Sequence, residues 1–206
     1  MGDSILTYNG GCVLAMAGKN CVAIAADRRF GVQQTTIGTD TTRIFKINDR
    51  LMLGLTGLRT DVITLYHRFV QRLNLYRLRE EREIKPASFS NMVASTLYSR
   101  RFAPYFVEPV VAGLTEKGEP YLCAQDLLGA PLFAQDFVVS GTCAESLYGT
   151  SETFWKPDLS PAELFEVTSQ SLLAAVDRDC LSGWGAVVHI ITLDGIETKF
   201  LKARMD

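Results

Sequence analysis

The spacing of apolar residues along this chain switches between a strand period and a helix period. Residues 13–16 and 21–25 are short apolar runs on either side of Ala17-Gly18-Lys19-Asn20, whose Gly and Asn suit a turn, so they read as a hairpin. Residues 42–47 alternate polar and apolar, as a half-buried strand does. Residues 51–55 form a continuous apolar run, which fits a strand covered on both faces. The period then changes: between 61 and 79, Val62, Tyr66, Phe69, Leu73 and Tyr76 recur every three or four residues, one face of a long helix. The mixed charges of 77–83 read as its solvated end. Pro86 opens a second helix with Phe89, Met92, Val93, Thr96 and Leu97 on one face, stopping before Pro104.

Strand signals return at 109–114 and 120–124, around a hairpin loop at 115–119, and in the short runs 131–134 and 137–139. Ser140-Gly141 leads into a weaker helix through Leu147, Tyr148 and Phe154. The next helix has a clear start: Ser160 as N-cap, Pro161 at the first position and Glu163 completing a capping box, with Leu164, Val167, Ser171, Leu172 and Val176 inward. Two last strands span 184–192 and 196–201, turning on Asp194-Gly195. Strands, two helices, strands, two helices, strands is not βαβ alternation, so a doubly wound parallel sheet is disfavoured. The order predicts an α+β fold: a four-layer αββα sandwich of two antiparallel sheets with a helix pair on each outer face, in a single domain over 1–206.

Composition narrows the function classes. With 47% hydrophobic and 21% charged residues among 206, the chain is globular rather than disordered. Twenty-one Lys+Arg against 23 Asp+Glu leave a net charge of -2, which argues against a polybasic nucleic-acid or membrane-surface binder. No apolar run approaches the ~20 residues of a membrane-crossing helix. The start, Met1-Gly2-Asp3-Ser4, lacks the basic stretch of a secretory signal, and Leu6 stands where a myristoylation signal wants Ser or Thr. Cys12, Cys21, Cys123, Cys143 and Cys180 include no CxxC spacing and are odd in number, so they read as reduced thiols of an intracellular protein rather than as disulfides or a zinc site. The two histidines, His67 and His189, sit in helical and strand patterns, leaving little material for a histidine triad or metal centre.

Several segments together carry a family resemblance. Gly10-Gly11-Cys12-Val13, residues 22–29 ending in Ala26-Asp27-Arg28-Arg29, and Gly54-Leu55-Thr56-Gly57-Leu58-Arg59-Thr60-Asp61 resemble the β-type subunits of the proteasome core particle. Ser140-Gly141-Thr142, Asp177-Arg178-Asp179 and Ser182-Gly183-Trp184-Gly185 follow in that family's order. Tyr8-Asn9-Gly10-Gly11, Asp27-Arg28-Arg29-Phe30-Gly31, Leu73-Asn74-Leu75-Tyr76 and the final Leu201-Lys202-Ala203-Arg204-Met205-Asp206 are similar to its non-catalytic type-three branch. The resemblance covers essentially the whole chain and implies the N-terminal-nucleophile hydrolase sandwich, with residues 1–10 a short unprocessed extension.

Active members of that family attack peptide carbonyls with the hydroxyl of an N-terminal threonine, whose own α-amine helps move the proton. The resemblance places that threonine sixteen positions before Asp27, where this chain has Gly11, and the family's lysine sixteen positions after it, where this chain has Arg43. Glycine has no nucleophile, and arginine stays protonated. The expectation is therefore no catalytic residue, with Asp27 and Arg43 joined as a structural ion pair. Gly57 matches the oxyanion-hole glycine, and Ser140, Asp179 and Ser182 match residues that support the nucleophile. An alternative is a hydrolase using Cys12 after cleavage at Gly11, but Cys12 is one residue out of register, which on a strand turns a side chain to the opposite face.

The resemblance implies a non-catalytic subunit of a hetero-oligomeric β ring, partnered by other proteasome α and β subunits, walling a chamber that degrades unfolded, mostly ubiquitin-tagged proteins in cytoplasm and nucleus. It implies no required cofactor and no nucleic-acid or membrane partner. Asp126, after the strand at 120–124, is expected to add negative charge to a neighbouring subunit's substrate pocket; the plainer reading is a solvated turn. A structural Mg²⁺ on backbone carbonyls of Val176, Asp179 and Ser182, completed by the terminal carboxylate of Asp206, is a further expectation; the plainer reading there is an empty or water-filled loop.

Overall fold

The computed structural model of the chain describes residues 4–205; Met1, Gly2, Asp3 and Asp206, with the expectations that fall on them, lie outside the described residues. After a short turn at Ile5–Thr7, β1 (Cys12–Gly18) and β2 (Cys21–Asp27) form the first hairpin. Next come β3 (Phe30–Val32), β4 (Thr35–Gly38), β5 (Ile44–Asn48) and β6 (Leu51–Gly57), then helices α1 (Arg59–Glu80) and α2 (Pro86–Tyr98). Strands β7 (Val107–Leu114), β8 (Pro120–Gln125), β9 (Pro131–Ala134) and β10 (Phe137–Gly141) precede α3 (Ala144–Phe154) and α4 (Pro161–Val176). Strands β11 (Ala186–Thr192) and β12 (Gly195–Leu201) complete the chain.

One five-stranded antiparallel sheet runs β10-β1-β2-β11-β12 and the other runs β5-β6-β7-β8-β9, with β3 and β4 as a separate hairpin. The period-two pleat sorts residues between layers. Cys12, Leu14 and Met16 of β1, with Ala23 and Ala25 of β2, pack on α3 and α4 through Leu147, Leu164 and Leu172. Their neighbours Val13, Ala15, Val22 and Ile24 face the other sheet and meet Met52, Val110 and Ala112. On the far side Leu53, Leu55 and Val111 pack on Val62, Leu65, Phe69, Phe89 and Val93 of α1 and α2. Three apolar layers between four layers of structure give the αββα sandwich.

The capping box forms: the Ser160 N–H donates to Glu163 Oε2 at 2.9 Å, and the Glu163 N–H lies 3.5 Å from Ser160 Oγ. Elsewhere the boundaries differ from the sequence expectation for local reasons. Helix α1 starts two residues earlier, at Arg59, because Leu58 is already its extended N-cap. Strand β11 starts at Ala186 rather than 184, since Gly183, Trp184 and Gly185 in succession all have positive φ, which breaks the extended backbone that a strand ladder needs. The last hairpin pairs Thr192 with Gly195, so its turn is Leu193-Asp194. The β3–β4 hairpin was not expected from the sequence. It turns on Gln33 with φ 51° and is pinned by the buried Arg29 guanidinium, which donates to Thr36 Oγ1 (2.9 Å) and to the Gln33 (2.9 Å) and Leu181 (3.1 Å) carbonyls.

Candidate functional site

Asp27 ends β2 beside the first residue of β1, and its side chain is fully buried. A buried carboxylate needs its lone pairs filled. Oδ1 accepts the Cys12 N–H (2.9 Å) and Arg43 Nε–H (2.7 Å), while Oδ2 accepts the N–H groups of Arg29 (3.2 Å) and Gly183 (3.2 Å). Arg43, itself only 3% exposed, also donates to the Arg29 carbonyl. The pair therefore ties the start of β1, the end of β2, the approach to β5 and the loop before β11 to one point.

Gly11 lies against this pair. It has φ of +112°, in the left-handed region that side-chain-bearing residues rarely adopt, and a Cβ built there would fall on the Arg43 guanidinium. The place at which the resemblance expects a threonine is thus closed twice, by backbone conformation and by the arginine. Gly57, φ +106°, ends β6 next to the N-cap of α1; a Cβ there would overlap the Phe106 carbonyl.

The loop on the other side of Gly11 is held by Thr142, a residue of the Ser140-Gly141-Thr142 motif whose part in the site the sequence alone does not reveal. The Gly11 N–H donates to Thr142 Oγ1 (3.3 Å), and the Thr142 N–H donates to the Gly11 carbonyl (3.0 Å). Thr142 Oγ1 donates to Asp179 Oδ2 (2.6 Å), which also accepts from Ser182 Oγ (2.7 Å), while Asp179 Oδ1 accepts the Leu181 N–H (3.1 Å). Asp179 and Ser182 are thus brought together at Gly11, through Thr142. Ser140 is not part of that cluster. Its hydroxyl lies 2.6 Å from Thr56 Oγ1 and 3.2 Å from Glu108 Oε2, bridging to the second sheet. Gly141, φ +105°, breaks the strand alternation between Ser140 and Thr142 and sends their side chains to different partners. The signal for Thr142 in the sequence was that glycine between two hydroxyl residues.

Cys12 lies on the other face of β1 from Val13, buried among Cys143, Leu147 and Leu172. Burial first, then the neighbouring Cys143 thiol, push its thiol well above the usual range, which keeps it protonated and unreactive. The Cys12 hydrolase has no support in this arrangement. Cys21 is likewise pushed up to about 11 by burial. His189 Nδ1 lies 2.8 Å from Thr198 Oγ1, a cross-strand contact away from Gly11, and burial lowers its pKa.

Asp126 follows β8 and is exposed. Its Oδ1 accepts the N–H groups of Leu128 (2.9 Å) and Ala130 (2.7 Å), so the carboxylate orders its own turn while its charge faces outward. At the proposed cation loop, the Val176 carbonyl already accepts the Asp179 N–H (3.2 Å), and the Asp179 carboxylate is turned to Thr142 and Ser182. An ion there would draw only neutral backbone oxygens of Val176, Asp179 and Ser182 from the described residues, a donor set that fits a weakly held hard cation. No cluster of three or more His, Cys, Asp or Glu side chains suited to a metal exists among the described residues.

Comparison with known proteins agrees with this geometry. The family described as "Proteasome subunit" matches residues 7–191. "Proteasome subunit beta type-3" of Drosophila melanogaster is 59% identical over 98% of this chain and 100% of its own length. "Proteasome subunit beta type-3-A" of Arabidopsis thaliana is 57% identical, and "Probable proteasome subunit beta type-3" of Schizosaccharomyces pombe 53%, each over 98% of this chain and all of its own length.

Proposed function

Because this chain belongs to the proteasome subunit family, we propose that it serves as a type-three β subunit that builds the core particle and cuts nothing itself. It assembles with other α and β subunits in hetero-oligomeric rings, where unlike neighbours meet through heterologous side-to-side contacts that close by rotation. One observation carries the non-catalytic reading: the nucleophile position is Gly11, and the space a side chain would need is filled by the Arg43 guanidinium bonded to Asp27. Thr142, Asp179 and Ser182 then act as a hydrogen-bonded clasp on the end of β1. They keep the shape of the family's site without an attacking group.

Within the assembly the chain walls the proteolytic chamber, in which unfolded, ubiquitin-tagged proteins are degraded, and Asp126 lends its charge to a neighbouring subunit's substrate pocket. The chain needs no cofactor; a structural Mg²⁺ on the Val176, Asp179 and Ser182 carbonyls is compatible with the loop. The free thiols of Cys12, Cys21, Cys123, Cys143 and Cys180 suit the reducing cytoplasm and nucleus, where we place it. The test is to treat purified particles with an electrophile that traps N-terminal nucleophiles and to identify labelled polypeptides by mass spectrometry. Sibling subunits carry adducts and this chain carries none; an adduct on Cys12, or on a newly exposed amino end of this chain, overturns the proposal.

A further inference from the structure

The connection between α2 and β7 concentrates features that the folded chain does not use. Phe102 is 92% exposed and Tyr98, the last residue of α2, is 59% exposed. The backbone beneath them is tightly wound: the Arg100, Arg101 and Ala103 N–H groups donate to the Leu97, Tyr98 and Arg100 carbonyls at 3.0, 3.1 and 3.0 Å, and Ser99 Oγ donates to the Thr96 carbonyl at 2.7 Å. Arg101 stacks on both rings, its Cζ 5.9 Å from the centroid of Tyr98 and 5.1 Å from that of Phe102. The result is a knob whose backbone is fixed by hydrogen bonds and whose two aromatic rings and guanidinium lie against one another. Ordering before contact removes much of the entropic cost of binding.

The charge around the knob is one-sided. Arg28, Arg43, Arg77 and Arg82 each pair with a carboxylate. Arg100 and Arg101 have no carboxylate partner among the described residues. From α1, Arg68 lies over the Tyr105 ring (5.8 Å) and Arg72 donates to Thr96 Oγ1 (2.6 Å), so two more arginines with no carboxylate partner among the described residues flank the same helix end. Among the described residues, the carboxylate bonded to this connection is Asp61, which accepts the Phe106 N–H at 2.9 Å and is outnumbered there by the arginines. A chain of net charge -2 thus carries a cationic, aromatic end.

We propose that this knob is an insertion anchor: Phe102, backed by Tyr98 and Arg101, enters an apolar socket with an acidic rim on an adjacent proteasome subunit. Exposed aromatic rings with arginine are the composition of interface hot spots, and a cationic collar selects a partner of opposite sign. A protein socket is favoured over a nucleic acid because 21 Lys+Arg against 23 Asp+Glu leave the chain with a net charge of -2, which does not favour a phosphate backbone. The proposal rests on the assembly reading above.

The test uses the full chain expressed with the complete set of core subunits, carrying a benzophenone amino acid at position 102. Particles are isolated, irradiated and digested, and cross-linked peptides are sequenced. The expected product joins this chain to one neighbouring subunit within a segment containing Asp or Glu. Particles that contain the chain but give no cross-link, or a cross-link to nucleic acid, overturn the anchor and leave the assembly reading standing. Absence of the unaltered chain from particles overturns both, whereas exclusion of the position-102 variant alone supports the anchor. A second measurement sets Phe102→Ala or Arg101→Glu chains in competition with the unaltered chain for incorporation. Both side chains are outside the core, so folding is spared. Each substitution lowers incorporation by about tenfold or more if the residue is a hot spot, and Arg101→Glu is rescued by Lys at the cross-linked acidic position; equal incorporation overturns the anchor.

Discussion

Placing a single methyl group on Gly11 tests the structure at a tightly constrained point. At φ +112° a side-chain-bearing residue is strained, a penalty of about 1–3 kcal/mol. The new Cβ also falls on the Arg43 guanidinium, so Arg43 must leave Asp27 or the start of β1 must move. Breaking a buried ion pair by displacing one partner costs about 3–5 kcal/mol, although three remaining N–H bonds to Asp27 hold the loss toward the lower figure. Gly11→Ala is therefore expected to cost roughly 4–8 kcal/mol, against a total stability of ~5–15 kcal/mol for a typical domain. Arg43→Ala alone costs roughly 3–5 kcal/mol. The double variant costs no more than Gly11→Ala, because the arginine that would be displaced is already gone. The assay is pulse proteolysis of purified particles across a urea series, reading peptides of this chain by mass spectrometry. The reasoning fails if Gly11→Ala costs less than about 1 kcal/mol, or if the double variant matches the sum of the singles within the ~0.5 kcal/mol expected of independent sites. Gly11→Thr meets the same obstruction, so restoring the hydroxyl leaves the chain unlabelled by electrophile.

Thr142→Val removes the hydroxyl that joins Gly11 to Asp179. It leaves a part-buried carboxylate short of a donor, so it should destabilise by about 1–3 kcal/mol in the same urea series; no change would remove Thr142 from the clasp. Asp126→Lys should slow cleavage after basic residues at one neighbouring active subunit while leaving cleavage after apolar residues unchanged, read with fluorogenic peptides; unaltered kinetics on both would leave Asp126 as a turn residue only. Ser160→Ala should cost about 1 kcal/mol by loss of the α4 cap. The Ser160 hydrogen bonds hold Glu163 below its ordinary 4.5, so the folded chain binds fewer protons than the unfolded one in mild acid. That contribution is complete above about pH 4.5 and disappears as falling pH carries Glu163 through its lowered folded value. The stability difference between Ser160→Ala and the unaltered chain should therefore shrink below pH 4.5; a gap that stays constant into acid would dismiss the capping box as its source.

The sequence by itself determined the layer order. The continuous apolar runs of β1 and β2 need cover on both faces, the three- and four-residue spacing in α1 gives it one buried face, and satisfying both places sheets inside helices. It also determined the absence of a nucleophile at position 11, since glycine carries none in any fold. The ends of elements were less legible where backbone with positive φ intervened, as at Gln33 and Trp184, because neither residue type announces that conformation. The β3–β4 hairpin, too short to hold itself, depends on Arg29 reaching from the end of β2 to Leu181, 152 residues away in sequence. Only the tertiary structure decided that Arg43 closes the site, that Thr142 rather than Ser140 joins Asp179 and Ser182, and that Phe102 stands out beside unpaired arginines. Each is a contact or a missing contact between segments distant along the chain. Periodicity reports which face of an element is apolar, and it carries no information about which polar atom on another element will meet it.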